Sequence, residues 1–406
     1  MRIRPGMPLR LTGRAISLSL SLLLLLAFSP AAAGESGSVL QLKYEFFRDR
    51  NRAWNHTPAF SLRYALQRVW TLGWEQEFDV VSGASRRLGA SLDGKTQAIE
   101  PDAVTGASKV EARYSENPSL TYSRDGKTIS GSLYASRESD YTSFSPAGSA
   151  SMDFNGRNTT VGISYAEFFD AFQPKGAFAG EGGDKRIRTG AVTLAQSLTP
   201  LTLVAITGTA SYADGYLGHP YNPPIDARGD LLAERVPESK TAAALAAQIV
   251  QGFRLGERLG SINLDARAYR DDWGLGSGTL DLKVSRYFSE TGYVRLRARG
   301  YAQTGAAFAK DVYAGDETFR TGDIRLSRFS SLLVGAKIAA GFPDSWSDHA
   351  FLPDRWDLKF DYLVRDTRGD LGDASATESR GYHYQLYGSD EYYAQGVILA
   401  GLAFDL

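Results

Sequence analysis

The sequence predicts an all-β fold: a transmembrane, antiparallel, up-and-down β-barrel of about 16 strands, with roughly 14 or 18 as the neighbouring even counts. Three observations predict it. Apolar and polar residues alternate with a period of two along nearly the whole chain. The connections between the alternating segments are short and long by turns. No apolar run after Ala33 is long enough to cross a bilayer as a helix.

The N-terminus reads as a secretory leader. Arg2, Arg4, Arg10 and Arg14 make a positive region, Ala15 to Phe28 an apolar one, and Ser29-Pro30-Ala31-Ala32-Ala33 a small-residue cleavage site. Residues 1–33 are therefore expected to be a signal peptide and 34–406 a single barrel domain. The apolar run is too short for a retained span, which needs about 20 residues.

The strands follow in order. Leu40-Gln41-Leu42-Lys43-Tyr44-Glu45-Phe46 alternates without fault, as do Ile262 to Ala268, Leu280 to Ser285, Val294 to Arg299 and Trp356 to Tyr362. Successive strand side chains point to opposite faces, so each segment has one apolar and one charged face. Sixteen such segments are counted between residues 39 and 406, several longer than the five or six residues of an average strand. Short turns are expected at Gln67-Arg68, Asp125-Gly126, Asn155-Gly156, Thr199-Pro200, Gly256-Glu257-Arg258 and Ser289-Glu290-Thr291. Longer, Gly-, Pro- and Asp-rich connections fall near 82–107, 170–185, 214–239, 305–328 and 368–391. The last segment alternates Ile398, Ala400, Leu402, Phe404 and Leu406 to the end, with Leu406 where such barrels usually carry an aromatic. Phe253, Tyr287, Phe288 and Tyr293 near short turns, and Tyr212, Tyr269, Trp273 and Tyr301 near long loops, are read as interfacial girdles.

Composition removes several function classes. Without the leader, 41 basic residues face 46 acidic ones, an acidic balance unlike the basic stripe of a nucleic-acid binder. There is no cysteine, hence no disulfide framework, thiolate metal site or covalent haem attachment. His56, His219, His349 and His383 show no metal-ligand spacing, and at least three sit on or near expected loops. No metal, cofactor or catalytic residue is assigned, and no nucleophile–base motif marks an enzyme.

Gly215-Tyr216-Leu217-Gly218-His219-Pro220-Tyr221, Tyr269-Arg270-Asp271-Asp272-Trp273-Gly274 and Asp323-Ile324-Arg325-Leu326-Ser327 resemble, in order and spacing, an uncharacterised, domain-of-unknown-function family of Gram-negative outer-membrane β-barrel proteins. The similarity runs from about residue 39 to the C-terminus, and Gly218-His219 departs from the Asn- or Asp-rich pair expected before Pro220. The resemblance implies a barrel and no established activity. Family members occur beside thioredoxin-like and flavin-transferase proteins, which implies an envelope redox neighbour.

The sharpest candidate feature is Arg295, Arg297 and Arg299, a ladder about 13 Å long on one strand face. It either biases a pore toward anions or is tied into ion pairs with Asp281, Lys283, Asp265 and Arg267, with Lys359 on the same kind of face. Both readings stay open. Asp271-Asp272-Trp273-Gly274 reads as a tight turn with an aromatic anchor, short of the oxygen ligands calcium needs. Glu75, Glu77 and Glu111 are expected as lumenal acids near Arg63 and Arg113.

These features lead to an outer-membrane pore or passive channel with a charged lumen. The alternative is a sheath or scaffold for an envelope redox complex, and the remote third an enzyme. The expected partners are outer-membrane lipid, the barrel-assembly machinery and an envelope redox protein.

Overall fold

The computed structural model describes residues 37–49, 54–81, 111–175, 180–220, 223–228, 230–310, 312–343, 352–366 and 392–405. The leader, Glu111's side chain, His349, His383 and Tyr221 lie outside the described residues and side chains.

Sixteen strands form one antiparallel sheet: β1 (Val39–Asp49), β2 (Trp54–Leu66), β3 (Trp70–Val81), β4 (Glu111–Arg124), β5 (Lys127–Arg137), β6 (Tyr141–Phe154), β7 (Thr159–Phe172), β8 (Gly183–Thr199), β9 (Thr202–Gly215), β10 (Ser239–Leu255), β11 (Arg258–Asp271), β12 (Gly276–Tyr287), β13 (Tyr293–Gln303), β14 (Phe329–Gly341), β15 (Arg355–Asp366) and β16 (Tyr392–Asp405). Each pairs with its neighbours in sequence, and β1 closes on β16 with Val39 opposite Asp405 and Asp49 opposite Gln395. The sheet is a closed up-and-down barrel. Closure leaves no edge strand with unpaired backbone groups, which is the condition for a sheet to span lipid.

Turn chemistry sets the register at one rim. Asp125 and Gly126 both have positive φ (52° and 73°), as a two-residue type I′ turn requires; Asn155 and Gly156 open the β6–β7 turn the same way. This turn rim also carries both barrel termini. The loop rim carries the long connections except 342–354, which joins β14 to β15 on the turn rim, while β1–β2, β5–β6 and β11–β12 are joined briefly on the loop rim.

Parity fixes what each wall meets. Leu245, Leu280, Leu296 and Leu332, on adjacent or near-adjacent strands, are 59%, 53%, 60% and 56% exposed. Each such side chain left in water forgoes about 1.5–3 kcal/mol, so a wall built of them is a lipid-facing wall. The opposite parity carries Asp265, Asp281, Lys283 and Arg297, half or more buried against one another. Among the described residues there is no apolar core between the walls. Apart from Leu62 in β2, buried apolar side chains gather instead at the loop rim, where Ile225, Trp273, Leu275, Ala306 and Tyr313 lie in or beside the connections after β9, β11 and β13.

The differences from the sequence reading are local. β2 begins at Trp54, four residues before the alternation becomes legible, so His56 sits in the first residues of a strand, near the β1–β2 connection, among Tyr44, Phe46 and Trp54. β7 and β8 reach Phe172 and Gly183, shortening the expected 170–185 connection. Of the expected girdle residues, Tyr269, Tyr287, Tyr293 and Tyr301 have lumen-facing parity. Tyr269 and Tyr293 lie under Arg267 and Arg295. Closeness to a rim was the wrong criterion; parity decides the face.

Candidate lumen wall and loop cap

The expected lumen residues come together on β11–β15. Asp265 and Asp281 are direct cross-strand neighbours, an arrangement that repels unless a cation intervenes. Lys283 supplies it, with Nζ 2.8 Å from Asp265 and 3.7 Å from Asp281. Gln248 donates to the other oxygen of Asp265 at 2.6 Å. On the next strand Arg297 bonds Asp281 through Nε and Nη2, the latter at 2.6 Å. Its Nη1 reaches Asp361 on β15 at 3.5 Å, across the whole of β14. That reach exists because the residue between them in the row is Gly335, where a Cβ would lie 2.0 Å from an Asp361 oxygen. Lys359 bonds Asp361 at 2.6 Å and Lys337 bonds Asp357 at 2.9 Å.

The other two rungs are differently held. Arg295 donates to Ser285 at 2.9 Å and lies over the Tyr293 ring. Arg299 faces the lumen opposite Asp281 with no hydrogen bond or ion pair to a described residue, and Arg267 lies over Tyr269. Counting the middle of this wall, Arg267, Lys283, Arg295, Arg297, Arg299, Lys337 and Lys359 face Asp265, Asp281, Asp357 and Asp361, seven basic against four acidic side chains. The wall combines a fixed ion-pair lattice with an excess of cationic groups directed at the lumen.

The wall opposite differs. β5 lies eight strands from β13 in either direction round the ring. Its lumenal parity is Thr128, Ser130, Ser132, Tyr134 and Ser136, continued by Ser149 and Ser151 on β6. Thr121–Ser130 and Thr193–Thr207 pair across strands at 2.9 Å. This hydroxyl-lined side was not singled out from sequence, although hydroxyl residues at every second position of 128–136 signal it. The acids on β3 are lumenal too, but Arg113 pairs with Asp79 at 2.7 Å rather than with Glu75 or Glu77, and Glu75 takes a bond from Asn117 at 3.3 Å.

The three motif stretches meet at the loop rim. In the β11–β12 turn Asp271 Oδ1 accepts from the amides of Trp273 and Leu275 at 3.1 and 3.0 Å, and Asp272 accepts from Thr241 at 3.0 Å. Gly274 takes a positive φ of 88°. Trp273 is buried, donates to the Ser239 carbonyl at 2.9 Å and packs on Phe308. These carboxylates hold a turn. Among the described residues no group of three acidic or His side chains is placed to hold a metal.

Gly215 ends β9 at φ 104°, where a Cβ would strike the Asp184 carbonyl at 2.3 Å. Tyr216 and His219 then pack on Phe172, a lumen-facing residue at the end of β7, and Pro220 is fully buried. From the other side the lumen-facing Gln303 donates to the Arg325 and Ser327 carbonyls at 2.8 and 2.5 Å. The two connections are joined by backbone pairing of Asp226 with Tyr313 and of Arg235 with Arg320. They form a cap folded against the lumenal side of the rim from β7 to β13.

Within the cap, Glu234 is enclosed. It accepts from Thr321 Oγ1 at 2.5 Å and from the His219 amide, with Asp323, Arg325 and Tyr216 also facing it. Burial raises its pKa to about 7, reinforced by Asp323 and opposed by those hydrogen bonds and by Arg325. Because the closed cap holds this proton more tightly than an open one, Glu234 stabilises closure fully below its ordinary 4.5 and loses that contribution as pH rises through 7. Asp323 and Glu317 are both lowered, Glu317 to about 2, so they titrate below this window. Intrinsically corrected hydrogen exchange of the Thr321 and Arg235 amides should therefore show weaker protection at pH 8 than at pH 5.5. Glu234→Gln should shrink the difference, leaving what the His219 imidazole facing Asp323 contributes in the same range, and an unchanged pH dependence would exclude Glu234 as a source.

A family model described as "Protein of unknown function (DUF3570)" matches residues 18–353. The chain belongs to that family. The resemblance carried by the three motif stretches is borne out, and in this DUF3570 member all three build the cap and the turn beneath it. No curated protein matches the chain. Similar solved structures include a bacterial polysaccharide outer membrane secretin, 6% identical with a TM-score of 0.47, covering 91% of this chain and 98% of that one. A loop L8 deletion mutant of OmpT, an outer membrane protein of Vibrio cholerae, is 8% identical with a TM-score of 0.44, covering 92% and 100%. OccK2 (OpdF) of Pseudomonas aeruginosa, in complex with glucuronate, is 10% identical with a TM-score of 0.41, covering 92% and 98%. The barrel of the DUF3570 chain is read from its own strand pairing.

Proposed function

We propose that this DUF3570 protein is exported by cleavage of residues 1–33, inserts into a Gram-negative outer membrane and acts there as a passive pore favouring anions. One observation carries the reading: a closed ring of sixteen strands with a lipid-compatible outer wall encloses side chains as ionic as Arg299 and Lys283. Charges left unneutralised inside a barrel require water, and sixteen strands are enough to leave an aqueous channel. Refolded mature protein in a planar bilayer should give discrete conductance steps with a reversal potential on the anion side in a salt gradient. A bilayer that takes up folded protein yet stays silent at every voltage would remove the pore.

A second reading, a sheath around an envelope redox partner, is favoured by the uncharged hydroxyl wall of β5 and β6, where the lumenal side chains other than Tyr134 are mostly small. With no cysteine in the chain, a covalently held haem would belong to the partner. An equimolar partner co-purifying with the barrel and blocking its current would favour this reading over the open pore.

A further inference from the structure

The lipid-facing wall contains an ion-pair cluster on three adjacent strands. Glu167 on β7, Arg186 and Arg188 on β8 and Asp214 on β9 share the outward parity of Ile163, Val192, Leu194 and Ile206. Charged groups on that face are costly at bilayer mid-depth and nearly free at the interface. Distance along β8 says which applies. Ten residues separate the exposed Leu198 at the turn rim from Arg188, about 25 Å of height at ~3.3 Å per residue and a tilt near 40°, the thickness of the apolar band. Both arginines therefore lie at headgroup level on the loop-rim side.

The cluster is ordered but not used up. Arg186 gives only Nε to Glu167 and lies 5.1 Å from the Phe169 ring centroid. Arg188 gives Nε to Glu167 at 3.1 Å and Nη1 to Asp214 at 2.7 Å, with its guanidinium 5.7 Å from the Tyr212 ring. Both terminal nitrogens of Arg186 and Nη2 of Arg188 have no partner among the described residues, and the two side chains are 45% and 32% exposed. The carboxylates cancel charge while fixing two guanidinium forks two residues apart on one face, which is the geometry that takes a phosphate with several charge-assisted bonds.

We propose that Arg186 and Arg188 dock the phosphate of a phosphorylated glycolipid in the outer leaflet, its acyl chains lying along Val192, Leu194 and Ile206. A lipid is favoured over free phosphate because the cluster is electrically neutral. A free anion gains little attraction there, whereas a lipid is already concentrated in the leaflet beside the wall, and its acyl chains hold the phosphate at the height of the two arginines. The site rests on the outer-membrane placement proposed above.

The test uses mature protein in phosphatidylcholine vesicles doped with phosphorylated lipid A, with dephosphorylated lipid A, or with neither. Wild type should retain phosphorylated lipid A about tenfold better than the dephosphorylated form, and its unfolding midpoint should rise only with the former. Arg186→Gln and Arg188→Gln should each weaken that preference, and the double Lys variant, which keeps charge but loses the forks, should restore only part of it. Inorganic phosphate at millimolar concentration should not compete. Equal retention of both lipids by wild type overturns the site without needing any variant, and effective competition by inorganic phosphate overturns the lipid assignment. Insertion without phosphate dependence removes the site alone; a chain that enters none of these vesicles removes the membrane placement together with it.

Discussion

Replacing Arg295, Arg297 and Arg299 together by Glu should reverse the sign of the reversal potential in a tenfold salt gradient. The mid-wall holds seven basic side chains against four acidic ones, so three such changes turn an excess of three positive charges into an excess of three negative. Selectivity follows the fixed charge that a permeating ion passes within a screening length, about 8 Å at physiological salt. The three positions are not equivalent in cost. Arg297 satisfies the nearly buried Asp281 and reaches Asp361, so its loss leaves enclosed carboxylates unpaired, a penalty of about 3 kcal/mol. Arg295 and Arg299 form no ion pair with described residues, so the double change Arg295→Gln with Arg299→Gln, which puts no new carboxylate opposite Asp281, should move the potential in the same direction at less cost in stability. Urea unfolding separates the two effects. A triple variant that inserts, conducts and keeps the wild-type sign would show that this wall does not set selectivity.

What the sequence discloses is set by the range of the interaction that decides it. Strand parity is local, so the lumenal face of Val294 to Arg299 and the positions of all sixteen strands are legible within a few residues. Turn chemistry is equally local: Asp125-Gly126 can only be a tight reversal. Which charges meet is not local. Arg297 finds Asp361 because a glycine on the intervening strand keeps the row open, and only the register of three strands shows that. The hydroxyl wall escaped notice for another reason: serine and threonine carry no charge contrast, so their alternation reads as weak polarity until placed opposite the arginines. Glu234 was hidden more thoroughly. An acid in a proline-rich connection reads as solvated, and only the fold of a second connection nearly ninety residues later encloses it. The motif residues Asp271, Trp273, Gly215 and Pro220 are used in packing the rim, so their recurrence in a pattern reported architecture before it reported chemistry.

Tyr313→Ala should untie the cap while leaving the barrel intact. Tyr313 is 1% exposed, its hydroxyl accepts from the Lys310 and Thr321 amides at 3.0 Å, and it lies within donating distance of the Thr321 and Phe308 carbonyls at 2.9 and 3.0 Å. Its own amide bonds the Ile225 carbonyl at 2.9 Å, so the ring sits where the two connections cross. Truncating a large buried aromatic costs about 3–5 kcal/mol, and loop structures draw on the low end of a protein's local stability. The loss therefore exceeds what holds the cap closed. Tyr313→Phe keeps the ring and orphans two amides, a cost of about 1–3 kcal/mol, and should leave the cap closed but more often open. Hydrogen exchange at Thr321, Arg235 and Arg320 should accelerate by roughly a hundredfold or more in the alanine variant, less in the phenylalanine one, with strand amides in β10 and β11 unchanged. If the cap narrows the mouth from the β7–β13 side, single-channel conductance should rise in the same order. Exchange that rises without conductance would make the cap a covering beside the mouth, and exchange that does not rise at all would mean the crossing is held by something other than this ring.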